Sequence, residues 1–168
     1  MNERAGNDEF YMCMALREAE KSGQSDEVPI GSVIVAKTGE VVSSARNMTL
    51  GLSDPTAHAE LLSMRKAAYL TGNYRLTGAT LYTTIEPCIM CMGAVIHARL
   101  ERVVFGAPDP KWGGAGSLYN FSDDARLNHR VEVTSGVCEK ECRDLMQVFF
   151  RNKRRKDSGL TSWDASEF

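Results

Sequence analysis

The sequence contains no run approaching the roughly 20 consecutive apolar residues that a membrane-spanning helix needs. Its first ten residues are polar and acidic, with no basic patch leading into an apolar stretch of the kind a secretory signal shows. The expected compartment is therefore the cytoplasm, with no membrane role. Cysteine is odd in number: Cys13, Cys88, Cys91, Cys138 and Cys142. Without an export signal this argues against a disulfide framework and leaves reduced thiols for packing or metal binding. Repeats, low-complexity segments and an evident linker are all missing, so the 168 residues are expected to form one domain over 1–168. A composition 43% hydrophobic and 25% charged is that of a globular chain able to bury a core.

The net charge of −2 looks wrong for a nucleic-acid binder until the charges are located. Arg151, Lys153, Arg154, Arg155 and Lys156 stand together with no acid among them. Without those five, the remaining 15 basic and 22 acidic residues leave a net charge of −7. An acidic body with one basic cluster, at a helix end over about 151–156, can present a local anion-binding surface behind a near-neutral total. A solvated helix end favourable to the macrodipole is the competing account of the same residues.

Apolar periodicity predicts a helix over 8–21, stopped by Ser22-Gly23. The β-branched run at 30–36, the turn at 37–40 and the segment 41–46 read as a hairpin. Asp54-Pro55-Thr56 reads as the start of a helix over 57–70, ended by Gly72-Asn73. A strand at 79–85, a helix from Pro87 to about 99 and a strand at 102–106 follow in βαβ order. The Pro/Gly-rich stretch 107–117 is a surface loop. A short strand at 131–134 and a helix from 137 to about 156 complete the chain. A hairpin followed by alternating helices and strands predicts an α/β fold, a three-layer α/β/α sandwich around a mixed five-stranded sheet.

Two segments carry chemistry, and both lie at helix starts, where such sheets place ligand sites. Cys88 and Cys91 form a C-x-x-C directly after Pro87, so both sulfurs can reach one ion. His58-Ala59-Glu60, about thirty residues earlier, supplies a third ligand and a carboxylate. A structural zinc normally closes with four protein ligands, whereas His58, Cys88 and Cys91 leave a fourth position for water, whose pKa falls to about 7. Glu60 is then the proton carrier needed to add water across an aromatic C=N bond and expel ammonia. Residues two apart do not share a helical face, so His58 and Glu60 converge only if the first turn points end-on at the metal. The competing account is a structural zinc completed by Cys13, Cys138 or Cys142, with Glu60 a capping acid. Cys138 and Cys142, one turn apart, read as buried thiols before a second metal site, and His97 and His129 as structural or surface histidines.

The paired H-x-E and P-C-x-x-C motifs are the signature of zinc nucleobase deaminases. The resemblance extends to DPTAHAE at 54–60, NYRL at 73–76, ATLY at 79–82, EPCIMC at 86–91, RVVFGA at 102–107, AGSL at 115–118 and NHRVE at 128–132. Over most of the chain it resembles the bacterial tRNA-specific adenosine deaminases of the cytidine deaminase superfamily. That resemblance implies a cytidine deaminase-like fold and one Zn2+ per chain. It also implies a homodimer that converts the wobble adenosine of a tRNA anticodon stem-loop to inosine. It further implies that Asn47 and the Ala59 backbone hold the base and that Asp109 and Lys111 lie near the flanking ribose and phosphates. Taken alone, Asn47 reads as a turn residue after a strand. Arg151, Lys153, Arg154 and Arg155 become candidate RNA contacts. Pro108, Pro110 and Trp112 depart from the more polar loop the resemblance leads one to expect, and 119–124 looks specific to this lineage. Two other functions compete: a free-base or nucleoside deaminase acting on guanine, cytosine or cytidine, and a catalytically silent zinc-bearing RNA-binding module.

Overall fold

The computed structural model of the chain describes residues 3–160, with the side chains of 7–156. The two ends of the expected 1–168 domain, 1–2 and 161–168, lie outside the described residues. Along the chain run α1 (Glu3–Gln24), β1 (Gly31–Val35), β2 (Val41–Arg46), α2 (Ala59–Thr71), β3 (Thr80–Ile85), α3 (Ile89–His97), β4 (Arg102–Ala107), β5 (Glu132–Thr134) and α4 (Glu139–Leu160). The strands form one sheet in the order β2-β1-β3-β4-β5. The β1 strand pairs antiparallel with β2 and β3, while β3, β4 and β5 run parallel.

Period-two alternation sorts the core into two layers. Ile34, Leu81, Val103 and Phe105 face α2 and α3, packing with Leu61, Met64, Met92 and Val95. Val33, Val35, Tyr82 and Val104 face the other way, onto Met12 and Ala15 of α1 and Cys142 and Met146 of α4. The three-layer sandwich around a mixed five-stranded sheet is therefore observed. The close approach of α1 to β1 requires Gly31, where a Cβ would lie 2.0 Å from the Ala15 carbonyl oxygen. At the sheet end away from the loop 107–117, Arg102 forks onto both Asp8 oxygens at 2.7 and 2.8 Å, and the Tyr82 hydroxyl donates to Asp8 at 2.8 Å. This pins α1 to the sheet.

The differences from the expected elements are local. Asp54 does not cap α2; its carboxylate accepts the backbone N–H and hydroxyl of Thr56, both at 2.7 Å, and closes a separate turn. The helix begins at Ala59, with His58 extended at the N-cap position. Likewise α3 starts at Ile89 with Cys88 extended before it, and ends at His97. The α4 helix continues one turn past the basic cluster to Leu160. Among the described residues, no helix is long and apolar enough to cross a membrane.

Candidate active site

Both chemically loaded segments end in the same place because the parallel strands aim their C-terminal ends, and the helices that follow or neighbour them, at one edge of the sheet. His58 and Cys88 occupy the extended N-cap positions of α2 and α3, and neither side chain caps its helix. They are therefore free to point beyond the helix ends, and Glu60 and Cys91 follow in the first turns. The end-on geometry that His58 and Glu60 need to converge is present: both line one cavity of about 610 Å³ with Cys88, Glu86, Asp109 and Trp112. A volume of this size suits a small-molecule group.

The His58 Nδ1 atom lies 3.6 Å from the sulfurs of both Cys88 and Cys91, and the donor atoms of all three residues lie within 4.8 Å of one another. A tetrahedral zinc with ordinary Zn–S and Zn–N bonds separates its sulfur and nitrogen ligands by about 3.5 Å. The donor set fits one zinc ion, by both spacing and chemistry. Cys138 and Cys142 belong to the core layer on the opposite face of the sheet, so they cannot complete this set, and Cys13 lies exposed on α1. His97 is exposed at the end of α3, and His129 contacts the Leu100 carbonyl oxygen through Nε2 at 2.7 Å. Among the described residues no second cluster has metal-ligand spacing.

Two helix N-termini face these groups and favour negative charge there. Hydrogen bonding from Cys91, and then from His58, holds the Cys88 thiol at about 4 in spite of its partial burial. The Cys91 thiol is driven strongly upward by its hydrogen bond to Cys88 and by burial. The hydrogen bond to Cys88 raises His58 above its ordinary value. Burial pushes the Glu60 carboxyl up to about 7. Its Oε2 atom is buried with no hydrogen-bond partner, a costly arrangement unless a bound molecule completes it.

Ala59 is fully buried, and its carbonyl accepts from Ser32 Oγ, while its N–H belongs to the unpaired first turn of α2. Asn47 is 3% exposed and stands beside the cavity wall, its N–H bonded to the Ile30 carbonyl. Its side-chain amide donates to Glu27 at 3.1 Å and to Thr49 at 3.3 Å. Asp109 lines the cavity, but its carboxylate also accepts the backbone N–H groups of Lys111 at 2.9 Å and Trp112 at 3.2 Å, bracing its own loop. Lys111 points away from the cavity into a groove of about 470 Å³ shared with Met146, Phe150, Arg151 and Arg154 of α4. Helical spacing explains the division of the basic cluster: Arg151 and Arg154 fall on the groove face with Met146 and Phe150, whereas Lys153 turns to Asp26 at 3.3 Å.

Two carboxylates escaped the sequence reading. Glu86, 2% exposed at the end of β3, accepts the N–H groups of Asp109, Ala115 and Ser117, each at 3.0 Å, and the Ser117 hydroxyl. It ties down the loop that walls the cavity. Gly113 is required beside it, since a Cβ there would lie 2.5 Å from the Glu86 carboxyl carbon. Glu27 performs the same service for 47–51, accepting from Asn47, Thr49 and the Gly51 N–H at 2.7 Å. An acid between an apolar strand and Pro87 was the available signal for Glu86; for Glu27 the composition of its neighbourhood offered none.

Residues 5–107 match the family model described as the cytidine and deoxycytidylate deaminase zinc-binding region. Over 153 residues the chain is 44% identical to the tRNA-specific adenosine deaminase of Haemophilus influenzae (strain Rd), covering 91% of this chain and 88% of that one. Over 149 residues it is 48% identical to the protein of that name from Bacillus subtilis (strain 168), covering 89% and 92% respectively. The chain belongs to the tRNA-specific adenosine deaminase branch of the cytidine and deoxycytidylate deaminases. A solved structure from studies of A-to-I editing by tRNA:A34 deaminases at the wobble position of transfer RNA superposes with a TM-score of 0.78. It is 43% identical and covers 81% of this chain and 98% of that one. Membership in this deaminase family makes the chain a zinc-dependent deaminase, and its His/Cys/Cys group is a place for one zinc ion.

Proposed function

We propose that this deaminase converts adenosine to inosine at the wobble position of a tRNA anticodon, with His58, Cys88 and Cys91 holding zinc and Glu60 moving the protons. The carrying observation is the unpartnered, buried Glu60 Oε2 beside a three-donor metal set in a cavity of about 610 Å³, roomy enough to admit a nucleoside. Bound zinc supplies the Lewis acidity that makes hydroxide available at neutral pH. Glu60 takes the proton of the attacking water and delivers it to N1 of the adenine ring. The carboxylate then takes the remaining proton from the hydroxyl now on C6 and passes it to N6; the C6–N6 bond breaks as the C6 carbonyl forms, so that water is consumed and inosine and ammonia are released. The Ala59 N–H holds the base edge. Asn47, whose amide nitrogen is committed to Glu27 and Thr49, offers its carbonyl oxygen as an acceptor to the nucleoside. Asp109 accepts from the ribose 2′-hydroxyl, a donor that DNA lacks.

Lys111, Arg151 and Arg154 receive the phosphates along the groove beside the cavity, and Lys153 and Arg155 add positive potential on the neighbouring face of α4. An unpaired anticodon base costs little to extrude into such a pocket. The enzyme works in the cytoplasm, where that substrate is found, as a homodimer. Exposed Tyr69, Leu70 and Tyr74 at the end of α2 supply apolar surface for the second copy. The test is ammonia release from an adenosine-bearing anticodon stem-loop compared with release from adenosine, cytidine, guanine and cytosine. Turnover confined to the stem-loop is expected. Release from a free base or nucleoside alone would replace this reading with a small-molecule deaminase, and release from none of them would leave a zinc-bearing RNA-binding module.

A further inference from the structure

Trp112 lines the cavity together with Ile89 and Met90, yet it is 64% exposed. Burying an indole is among the largest apolar gains open to a side chain, and the fold does not take it. Among the described residues, no aromatic ring stacks on Trp112. The backbone that presents it is nonetheless tightly held. Its N–H and that of Lys111 both donate to the Asp109 carboxylate, Asp109's own N–H donates to buried Glu86, and Pro110 fixes φ between them. A ring kept in place by its backbone and left uncovered on the wall of this cavity loses little conformational entropy when a planar partner covers it.

The surroundings say what that partner is. His58, Cys88 and Glu60 line the cavity, Trp112 stands on its wall, and the next residue back along the loop, Lys111, opens onto the basic groove with Arg151 and Arg154. Target base, neighbouring base and phosphates would meet these features in turn. We propose that Trp112 is a stacking platform for the nucleobase adjacent to the target adenine in a single-stranded RNA loop, and so a determinant of substrate choice. This rests on the reading of function given above. Stacking tolerates any base, because every base has a π-face, but it requires that a base be there.

The experiment is a cycle between the ring and its partner. Binding of a stem-loop carrying inosine at the target position is measured for the zinc-loaded enzyme, Trp112→Ala and Trp112→Phe. Each is also titrated with RNAs made abasic at either neighbour of the target. A Trp163→Phe background removes the second tryptophan of the chain, so that emission reports on Trp112 alone. RNA is expected to quench that emission. Trp112→Ala is expected to weaken binding about tenfold, equivalent to about 1.4 kcal/mol, with most of the loss restored by Phe. One of the two abasic RNAs is expected to weaken binding to the unaltered enzyme by a similar factor and to lose less than about a further twofold with Trp112→Ala. An equal Trp112→Ala penalty on intact and both abasic RNAs, or no penalty at all, overturns the proposal while wild-type deamination of the adenosine stem-loop upholds the function. Absence of that deamination overturns both.

Discussion

Replacing Glu86 with Gln changes one oxygen to an NH2 group and almost nothing in volume, so its cost can be worked from the hydrogen bonds. The carboxylate accepts from the Asp109, Ala115 and Ser117 N–H groups and from the Ser117 hydroxyl. With its carbonyl placed at Oε1, Gln keeps the Ala115 and Ser117 N–H bonds. Its NH2 then meets the Ser117 hydroxyl, which can rotate to accept, and the Asp109 N–H, which cannot. One charge-assisted bond is lost and one donor is left facing another, a cost of about 2–4 kcal/mol. For a chain of this size that corresponds to a fall in melting temperature of about 5–15 °C. Thermal melts of the zinc-loaded variants measure the size of the effect, and amide hydrogen exchange locates it. Faster exchange is expected at Asp109 and its loop, with zinc content unchanged and Glu86→Ala worse than Glu86→Gln. A Gln variant that melts within about 1 °C of the parent, with the loop equally protected, would refute the assignment of Glu86 as the anchor.

Glu60→Gln is expected to keep stoichiometric zinc by metal analysis while losing turnover, whereas Cys88→Ala or Cys91→Ala is expected to lose both, since two remaining ligands hold zinc poorly; zinc loss from the Glu60 variant would make Glu60 a ligand. Neutralising Lys111, Arg151 and Arg154 to Gln is expected to weaken stem-loop binding and flatten its salt dependence by about 0.7 in slope per phosphate contact removed. Equal affinity and parallel salt plots would place the RNA elsewhere. Burial works against ionisation of Glu27, but its bonds from Gly51, Leu50, Thr49 and Asn47 prevail and hold its carboxyl below 4.5. A folded-state value below the unfolded one means that Glu27 contributes stability above about pH 4.5 and loses it as pH falls through the depressed value. Glu27→Gln is therefore expected to be less stable at pH 7 and to lose less on acidification, as followed by denaturant midpoints; an unchanged pH slope would count against it.

The elements and the metal set were legible because each is written in short-range pattern. The strands at 31–35 and 102–107 bury every residue, and H-x-E with C-x-x-C announces a ligand set without any knowledge of the path between. The start of α2 was misplaced because Asp54 bonding to Thr56 uses the same short-range chemistry as a helix cap, and only the backbone beyond it separates the two. The roles of Glu86 and Glu27 were not legible, although the place of Glu86 before Pro87 was a signal, because their partners lie 20 to 31 residues away in irregular segments, where no periodicity links donor to acceptor. The division of the basic cluster between two faces of α4 needed the position of the loop around Lys111, which composition does not encode.

The sheet also decides how copies of this protein are able to meet. Its two margins are poor templates for adding a strand. The β5 strand is only three residues long, with Glu132 exposed on it, and the pairing of β1 with β2 is broken by a register shift between Ile34 and Val35, which twists that side away from flatness. Edge-to-edge joining of two sheets, the cheapest way for an open β-structure to oligomerise or aggregate, is blunted at both ends. Contacts between copies of this chain would therefore fall to helix and loop surface. The two cavities would then be set by the packing angle between helices and not by a continuous ladder of backbone hydrogen bonds.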